Sequence, residues 1–327
     1  MRTWLPVAAG ALLFGVSATT FAQSGKLVVY TSQPSEQMAS VLEEFNKDHP
    51  DIEVDLFRSG TTEVINKLQA EFAAGDPQPD VLLVADDIVM SQLKSDGRLM
   101  TYEDAPVKDY DESWYDPDMT YFGTKLITTG IVYNTELAPE PPRSWMDLVE
   151  PEAENQVIMP SPLYSGAAAI HVGTLTASDQ FGWDYYEQLA DNGAIAGRGN
   201  GSVLEAVARG EKAYGILIDY MAFNAKDEGS PVDFVFPEEG VTAITQPIGI
   251  LASAKNPEAA KTFVDWQLSR AAQEHAVNQG YIPAMDGVEP PEAYPDPDTL
   301  EFIQVPPEVL LESDEEMKRN FADLFGG

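Results

Sequence analysis

The amino-acid sequence predicts an α/β protein with mainly parallel sheets, on three observations. Short apolar strands are followed repeatedly by hydroxyl- or glycine-rich turns and then by amphipathic helices. Val81-Leu82-Leu83-Val84 is a brief, continuously apolar run, the pattern of a strand buried on both faces of a parallel sheet. A chain of 327 residues has room for about two such domains, each with its own core.

The chain opens with Met1-Arg2-Thr3-Trp4, an apolar stretch from Leu5 to Val16, and the small-residue pattern Thr20-Phe21-Ala22 before Gln23. This is the layout of a secretory signal over residues 1–22, too short for a membrane span of a mature chain. With no cysteine, the sequence has neither a disulfide framework nor a lipidated N-terminal cysteine. The expectation is a soluble monomer that diffuses in a periplasm after signal removal. Its 54 Asp and Glu face 19 Lys and Arg, a net charge of −35. The acids are spread along the whole length beside an ordinary 44% of hydrophobic residues, which fits a folded protein with an acidic, halophile-like surface rather than a disordered chain. That charge argues against nucleic acid or an anionic membrane as partner. A small anion remains admissible, because local N–H groups and one Arg can dominate a pocket.

Lys26 to Tyr30 reads as a strand, Thr31-Ser32-Gln33-Pro34-Ser35 as a turn, and Met38, Val41, Leu42 and Phe45 as a helical stripe. Ile52 to Phe57, Ser59-Gly60-Thr61-Thr62, and Val64, Ile65, Leu68 and Phe72 repeat that order. Val81 to Val84 ends in Ala85-Asp86-Asp87. Residues 102–122 lack periodicity and are expected to loop across the surface, and Leu126 to Tyr133 is a β-branched strand. Trp145, Leu148 and Val149 mark a short helix entered at Ser144. Val157-Ile158-Met159 leads into Tyr164-Ser165-Gly166 and a helix of small residues; Gly197-Arg198-Gly199-Asn200-Gly201-Ser202 leads into a helix closed by Gly210. Ala213 to Ile218 is a strand ending at Asp219-Tyr220, and residues 232–236 and 243–251 are strand-like. Pro257 starts a helix, residues 271–277 continue helically to Gly280, and a Pro-rich 289–307 segment leads to a C-terminal helix with Met317, Phe321 and Leu324.

Four of the turns share one layout. Around Ser59, Gly60, Thr61 and Thr62 the glycine permits a tight turn, the hydroxyls sit where a helix N-cap wants oxygen, and unpaired helix N–H groups face whatever lies beyond the strand. Such caps also serve purely structural ends. Their recurrence at Ser32 and Gln33, at Tyr164, Ser165 and Gly166, and at Arg198 and Ser202 is what suggests an anion site. Asp86 and Asp219, at strand ends, are candidates for an ammonium or sugar hydroxyls, or for simple capping. The sequence contains no Gly-x-Ser-x-Gly, no His-Glu-x-x-His and no cysteine, so it is read as a non-enzyme without a cofactor.

The order of elements, with Thr129-Gly130-Ile131-Val132-Tyr133-Asn134, Ser144-Trp145-Met146-Asp147-Leu148 and Ala206-Val207-Ala208-Arg209-Gly210-Glu211, resembles the periplasmic substrate-binding proteins of ABC importers, specifically the type II group of ferric-ion, organophosphate and 2-aminoethylphosphonate binders. The resemblance covers essentially the whole chain after the signal. It implies two lobes with the ligand cleft between them: residues 23–124 with about 246–284, and 125–245 with about 285–327. Hinge crossings are expected near 124–130 and 238–247. It also implies an ABC permease in the inner membrane as partner. Ferric binders of the group carry adjacent tyrosines after the strand that follows the Arg-Gly-Glu turn; here that position reads Asp219-Tyr220-Met221, so the second phenolate is missing. A small phosphorus-containing anion, 2-aminoethylphosphonate or an organophosphate, is therefore the expected ligand. The alternatives are ferric ion held by Tyr164 and Tyr220, and a sugar or polyamine.

Overall fold

Leu27 and Val29 are wholly excluded from solvent, and they anchor the strand from which the first sheet grows. In this computed structural model residues 25–295 and 299–326 are described; the expected signal, residues 1–22, lies outside them. The first stretch of chain forms β1 (Gly25–Thr31), α1 (Ser35–Asp48), β2 (Ile52–Arg58), α2 (Thr61–Ala74), β3 (Val81–Leu83), α3 (Asp87–Ser95) and β4 (Tyr121–Gly123). It continues with β5 (Lys125–Asn134), β6 (Val157–Pro160), α4 (Gly166–Ala177), α5 (Gly182–Asp191), β7 (Ile195–Gly197), α6 (Asn200–Ala208), β8 (Tyr214–Ile218) and α7 (Asp219–Asp227). The last part gives β9 (Val232–Val235), β10 (Thr242–Ile244), β11 (Pro247–Ile250), α8 (Pro257–Gln267), α9 (Arg270–Asn278), β12 (Ile282–Pro283) and α10 (Pro307–Phe325).

The strands make two sheets, ordered β2-β1-β3-β11-β4 and β10-β5-β8-β6-β7, with β9 and β12 also paired to β5. Helices flank both, in the two-lobed α/β arrangement expected. The sheets are mixed, however, rather than mainly parallel. Among the numbered strands, parallel pairing joins β1 to β2 and β3, and β6 to β7 and β8. The exceptions have one cause. β5 and β11 each enter a sheet directly from the other one, without the helical crossover that a parallel neighbour needs, and both pair antiparallel.

Each lobe has its own core. Phe45, Phe263 and Trp266 pack edge to face under the first sheet. Trp145, Tyr185, Tyr186 and Phe321 fill the second, so the adjacent tyrosines 185 and 186 serve packing. Residues 102–122 are not a superficial loop. Tyr102 and Tyr110 are buried, donating to Asp265 Oδ1 at 2.8 Å and to the Leu268 carbonyl at 2.9 Å. A smaller cluster of Ile127, Ala167, Ile218, Tyr220, Ile244 and Tyr281 lies where the sheets meet.

Candidate functional site

The chain passes from the first sheet to the second at Thr124, and back at Thr245-Gln246. The two passages are tied together: the Thr124 N–H donates to the Thr245 carbonyl at 3.1 Å and its hydroxyl to the Gln246 carbonyl at 2.8 Å. Gln246 holds a φ of 37°, unusual for a residue with a side chain, and this kink splits the 243–251 run into β10 and β11. Beside the crossings lies a cleft of about 380 Å³.

Five helices present their first turns to it. Pro34, Gly60, Ser165, Gly199 and Ile218 are the N-caps of α1, α2, α4, α6 and α7, and all five line the cleft. Ser165 alone caps with its side chain toward its own helix, accepting from the Ala168 N–H at 3.3 Å. Pro34, Gly60 and Ile218 place no side-chain oxygen over their helix ends; in the first turn of α2 the Thr62 N–H goes to the Tyr164 carbonyl, and in that of α7 the Tyr220 N–H goes to Asp219 Oδ1.

The charge of the lining reverses that of the protein. Arg58 and Arg198 face the cleft, and among the described residues none that lines it is an Asp or Glu. Arg58 is held by its own neighbours, Nε to the Gln33 carbonyl at 3.1 Å and Nη2 to the Ser32 carbonyl at 3.3 Å. Arg198 stacks 4.5 Å above the Tyr164 ring and reaches Glu63 Oε1 at 2.7 Å. Two amide oxygens of cleft residues, Gln246 Oε1 and Asn200 Oδ1, are buried without a hydrogen-bond partner.

Three tyrosines border the site, Tyr164, Tyr220 and Tyr281. The rings of Tyr220 and Tyr281 lie 4.3 Å apart. Burial pushes the Tyr220 phenol up to about 12 and that of Tyr281 well above its ordinary value. Tyr281 donates its proton to Gln37 Oε1. Neutral phenols are poorer donors to a hard trivalent cation than phenolates.

Of the residues singled out in the sequence, Ser32, Gln33, Gly60, Thr61, Tyr164, Ser165, Gly166, Arg198, Ser202 and Tyr220 come together around the cleft. Four do not. Asp219 is only 1% exposed and turned inward: one oxygen accepts from the Thr128 N–H at 2.9 Å and its hydroxyl at 2.7 Å, the other from the Tyr220 N–H at 2.7 Å. Burial raises its pKa to about 6, and both its oxygens are engaged within the fold. Asp86 caps α3, accepting from the Val89 N–H at 3.0 Å, and burial lifts it to about 7. Thr62 donates its backbone N–H to the Tyr164 carbonyl at 3.4 Å. Asp86 and Thr62 face a separate cavity of about 350 Å³ among α2, α3, α4 and α10. Ser59 turns its hydroxyl to Glu63.

Asn200, beside Ser202 in the glycine-rich turn, joins the residues around the cleft, whereas Arg58, Gln246 and Tyr281 are cleft residues that sequence reasoning misses. Arg58 adjoins the Ser59-Gly60-Thr61-Thr62 turn, so its stretch does carry a signal. Gln246 and Tyr281 carry no local signal, because a crossing and a loop bring them in.

Across the cleft the lobes touch. A Cβ on Gly60 would lie 2.6 Å from the Tyr164 ring, and one on Gly166 would lie 2.4 Å from the Ala85 carbonyl oxygen. Both contacts join the first sheet's elements to the second's, as does the Glu63–Arg198 pair.

Comparison with known proteins agrees with this architecture. A family described as bacterial extracellular solute-binding protein matches residues 31–274. A Sinorhizobium fredii protein named as a probable ABC transporter periplasmic-binding protein, y4fP, is 28% identical over 284 residues, 83% of this chain and 77% of its own length. The Fe(3+)-binding periplasmic protein of Serratia marcescens is 25% identical over 273 residues, 80% of this chain and 79% of its own. Among solved structures, the periplasmic binding protein AfuA from Actinobacillus pleuropneumoniae, with exogenous fructose-6-phosphate bound, has a TM-score of 0.83 at 24% identity, over 93% of this chain and 99% of its own. At that identity the likeness speaks for the fold alone. By family match and by fold, the chain is a bacterial extracellular solute-binding protein, a periplasmic substrate-binding component of an ABC importer.

Proposed function

We propose that this protein captures a small organic phosphate in the cleft between its lobes and delivers it to an inner-membrane ABC permease. The observation that carries the reading is the convergence of five helix N-termini with Arg58 and Arg198 on a cleft that no carboxylate lines among the described residues, in a chain of net charge −35. Helix N–H groups, hydroxyls and guanidinium suit the oxygens of a phosphoryl group. The unpartnered oxygens of Gln246 and Asn200 suit hydroxyls on the ligand's body. A hydroxylated phosphate ester, such as a hexose phosphate, is therefore preferred to 2-aminoethylphosphonate, whose ammonium meets no carboxylate among the lining residues. Capture needs no chemistry: the phosphate docks on one lobe, the second lobe's helix ends complete its hydrogen bonds, and the closed form is what the permease recognises. The protein works as a periplasmic monomer without a cofactor, once residues 1–22 are removed.

A thermal-shift titration of the mature protein at high salt, with fructose 6-phosphate, 2-aminoethylphosphonate and ferric citrate in parallel, tests the reading. Ligand at about 100 times its Kd stabilises by roughly 2.7 kcal/mol, a shift of a few degrees. A shift with fructose 6-phosphate supports the proposal. A shift with ferric citrate alone would overturn it in favour of Tyr164, Tyr220 and Tyr281 as metal ligands.

A further inference from the structure

Lys125 opens β5 directly after the crossing at Thr124, and it is only 2% exposed. Its ammonium donates to Gln33 Oε1 at 3.2 Å and lies 4.6 Å from the centre of the Tyr281 ring. An amide oxygen and an aromatic face are both formally neutral. The titratable and charged groups around it add no counter-charge. His275 comes from α9; burial lowers its pKa, and Glu44 of α1 acts on it in the opposite direction. Tyr220 from α7, and Tyr281 just before β12, are neutral phenols, and Arg58 of β2 is a further cation beside Tyr220. Asp219 acts on the two phenols, but burial alone accounts for the depression of Lys125 to about 7.

A buried ammonium without an anion is costly and tends to shed its proton, and an anion arriving nearby would favour the charged form again. Here the route is short, because both partners of the amine, Gln33 and Tyr281, line the cleft. We propose that Lys125 is the counter-charge of the bound anion, acting from behind the cleft wall through Gln33 and Tyr281, and that it takes up a proton from solvent as the anion enters. This rests on the organic-phosphate reading above. Lys125 is on this view a positioning residue: it orients the Gln33 amide, whose Nε2 donates to Gln279 Oε1 at 3.3 Å, and lends charge to a ligand it does not touch. Protonation couples affinity to pH, with binding strongest where the amine charges most easily.

The test is calorimetry of the full mature protein with fructose 6-phosphate at pH 8.5, repeated in buffers of different ionisation enthalpy. At that pH the phosphate is already dianionic, with its second pKa at about 6. The raised carboxyls of Asp86 and Asp219 and the imidazole of His275 have already lost their protons. Wild type should take up more than about half a proton per ligand, since an amine with a pKa of about 7 starts almost uncharged. Lys125→Met should abolish the uptake and weaken binding at pH 7 by tenfold or more. Binding without buffer-dependent heat in the wild type overturns the proposal without recourse to any variant, as does a Lys125→Met protein with unchanged uptake and affinity. If wild type binds neither fructose 6-phosphate nor 2-aminoethylphosphonate, the organic-phosphate reading itself falls and this proposal with it.

Discussion

Gly166→Ala separates closure from folding. The new methyl would sit 2.4 Å from the Ala85 carbonyl oxygen and 2.9 Å from Thr61 Oγ1, both across the cleft, whereas ordinary contact begins at 3.4 Å. The lobes would have to part by about 1 Å at this point to admit it, or the backbone on one side would have to yield. At the first position of α4 the same change does not disfavour the helix, because Ala exceeds Gly in helix propensity. The penalty thus falls on the closed arrangement alone. Overpacking of this kind costs about 1–3 kcal/mol, which corresponds to affinity weaker by roughly 5- to 150-fold. Isothermal calorimetry with the ligand that stabilises wild type measures the affinity. Small-angle scattering with and without that ligand reports compaction, and the melting temperature of the ligand-free variant should equal or exceed that of wild type. Unchanged affinity together with normal ligand-induced compaction would refute the closure argument.

Three further outcomes follow from the same geometry. Lys125→Met should stabilise the ligand-free protein at neutral pH: the amine's pKa falls from 10.5 unfolded to about 7 folded, so the unfolded chain binds more protons between those values and wild-type stability rises with pH across that window. The gain is at most about 4 kcal/mol at pH 7 and should vanish toward pH 10.5; equal urea midpoints for the two proteins at pH 7 would contradict it. Asp219→Asn should lower affinity for 2-aminoethylphosphonate and for fructose 6-phosphate by the same factor, since this carboxylate holds Thr128 rather than ligand; calorimetry showing a selective loss for the amine would return Asp219 to the site. Arg198→Met should weaken anion binding and flatten its salt dependence, whereas Glu63→Gln should change affinity by less than about fivefold, because this exposed pair contributes about 1 kcal/mol or less. Comparable large losses from both, measured at two salt concentrations, would make the ion pair rather than the arginine the important element.

Much of the site was legible because its parts are local. A strand, a hydroxyl or glycine, and a helix start lie within about ten residues of one another, and periodicity and capping chemistry are encoded at that range. Hence Gly60, Ser165, Gly166 and Ser202 could be placed at cleft-facing turns from sequence patterns. Asp86 and Asp219 show the limit of that reasoning. A carboxylate at a strand end can face solvent, ligand or fold, and what turned Asp219 inward is Thr128, 91 residues away.

By itself, then, the sequence determined the α/β alternation, the helix caps, the acidic composition and the want of a second phenolate beside Tyr220, all properties of neighbouring residues or of composition. Only the tertiary structure decided which caps meet, that the sheets are mixed, that Gln246 and Tyr281 enter the cleft, and that Lys125 is buried against Gln33, 92 residues distant. The physical reason is that periodicity and capping are set along the chain. Convergence and desolvation are set by strand pairing and by the two crossings, for which no local pattern of residues stands proxy.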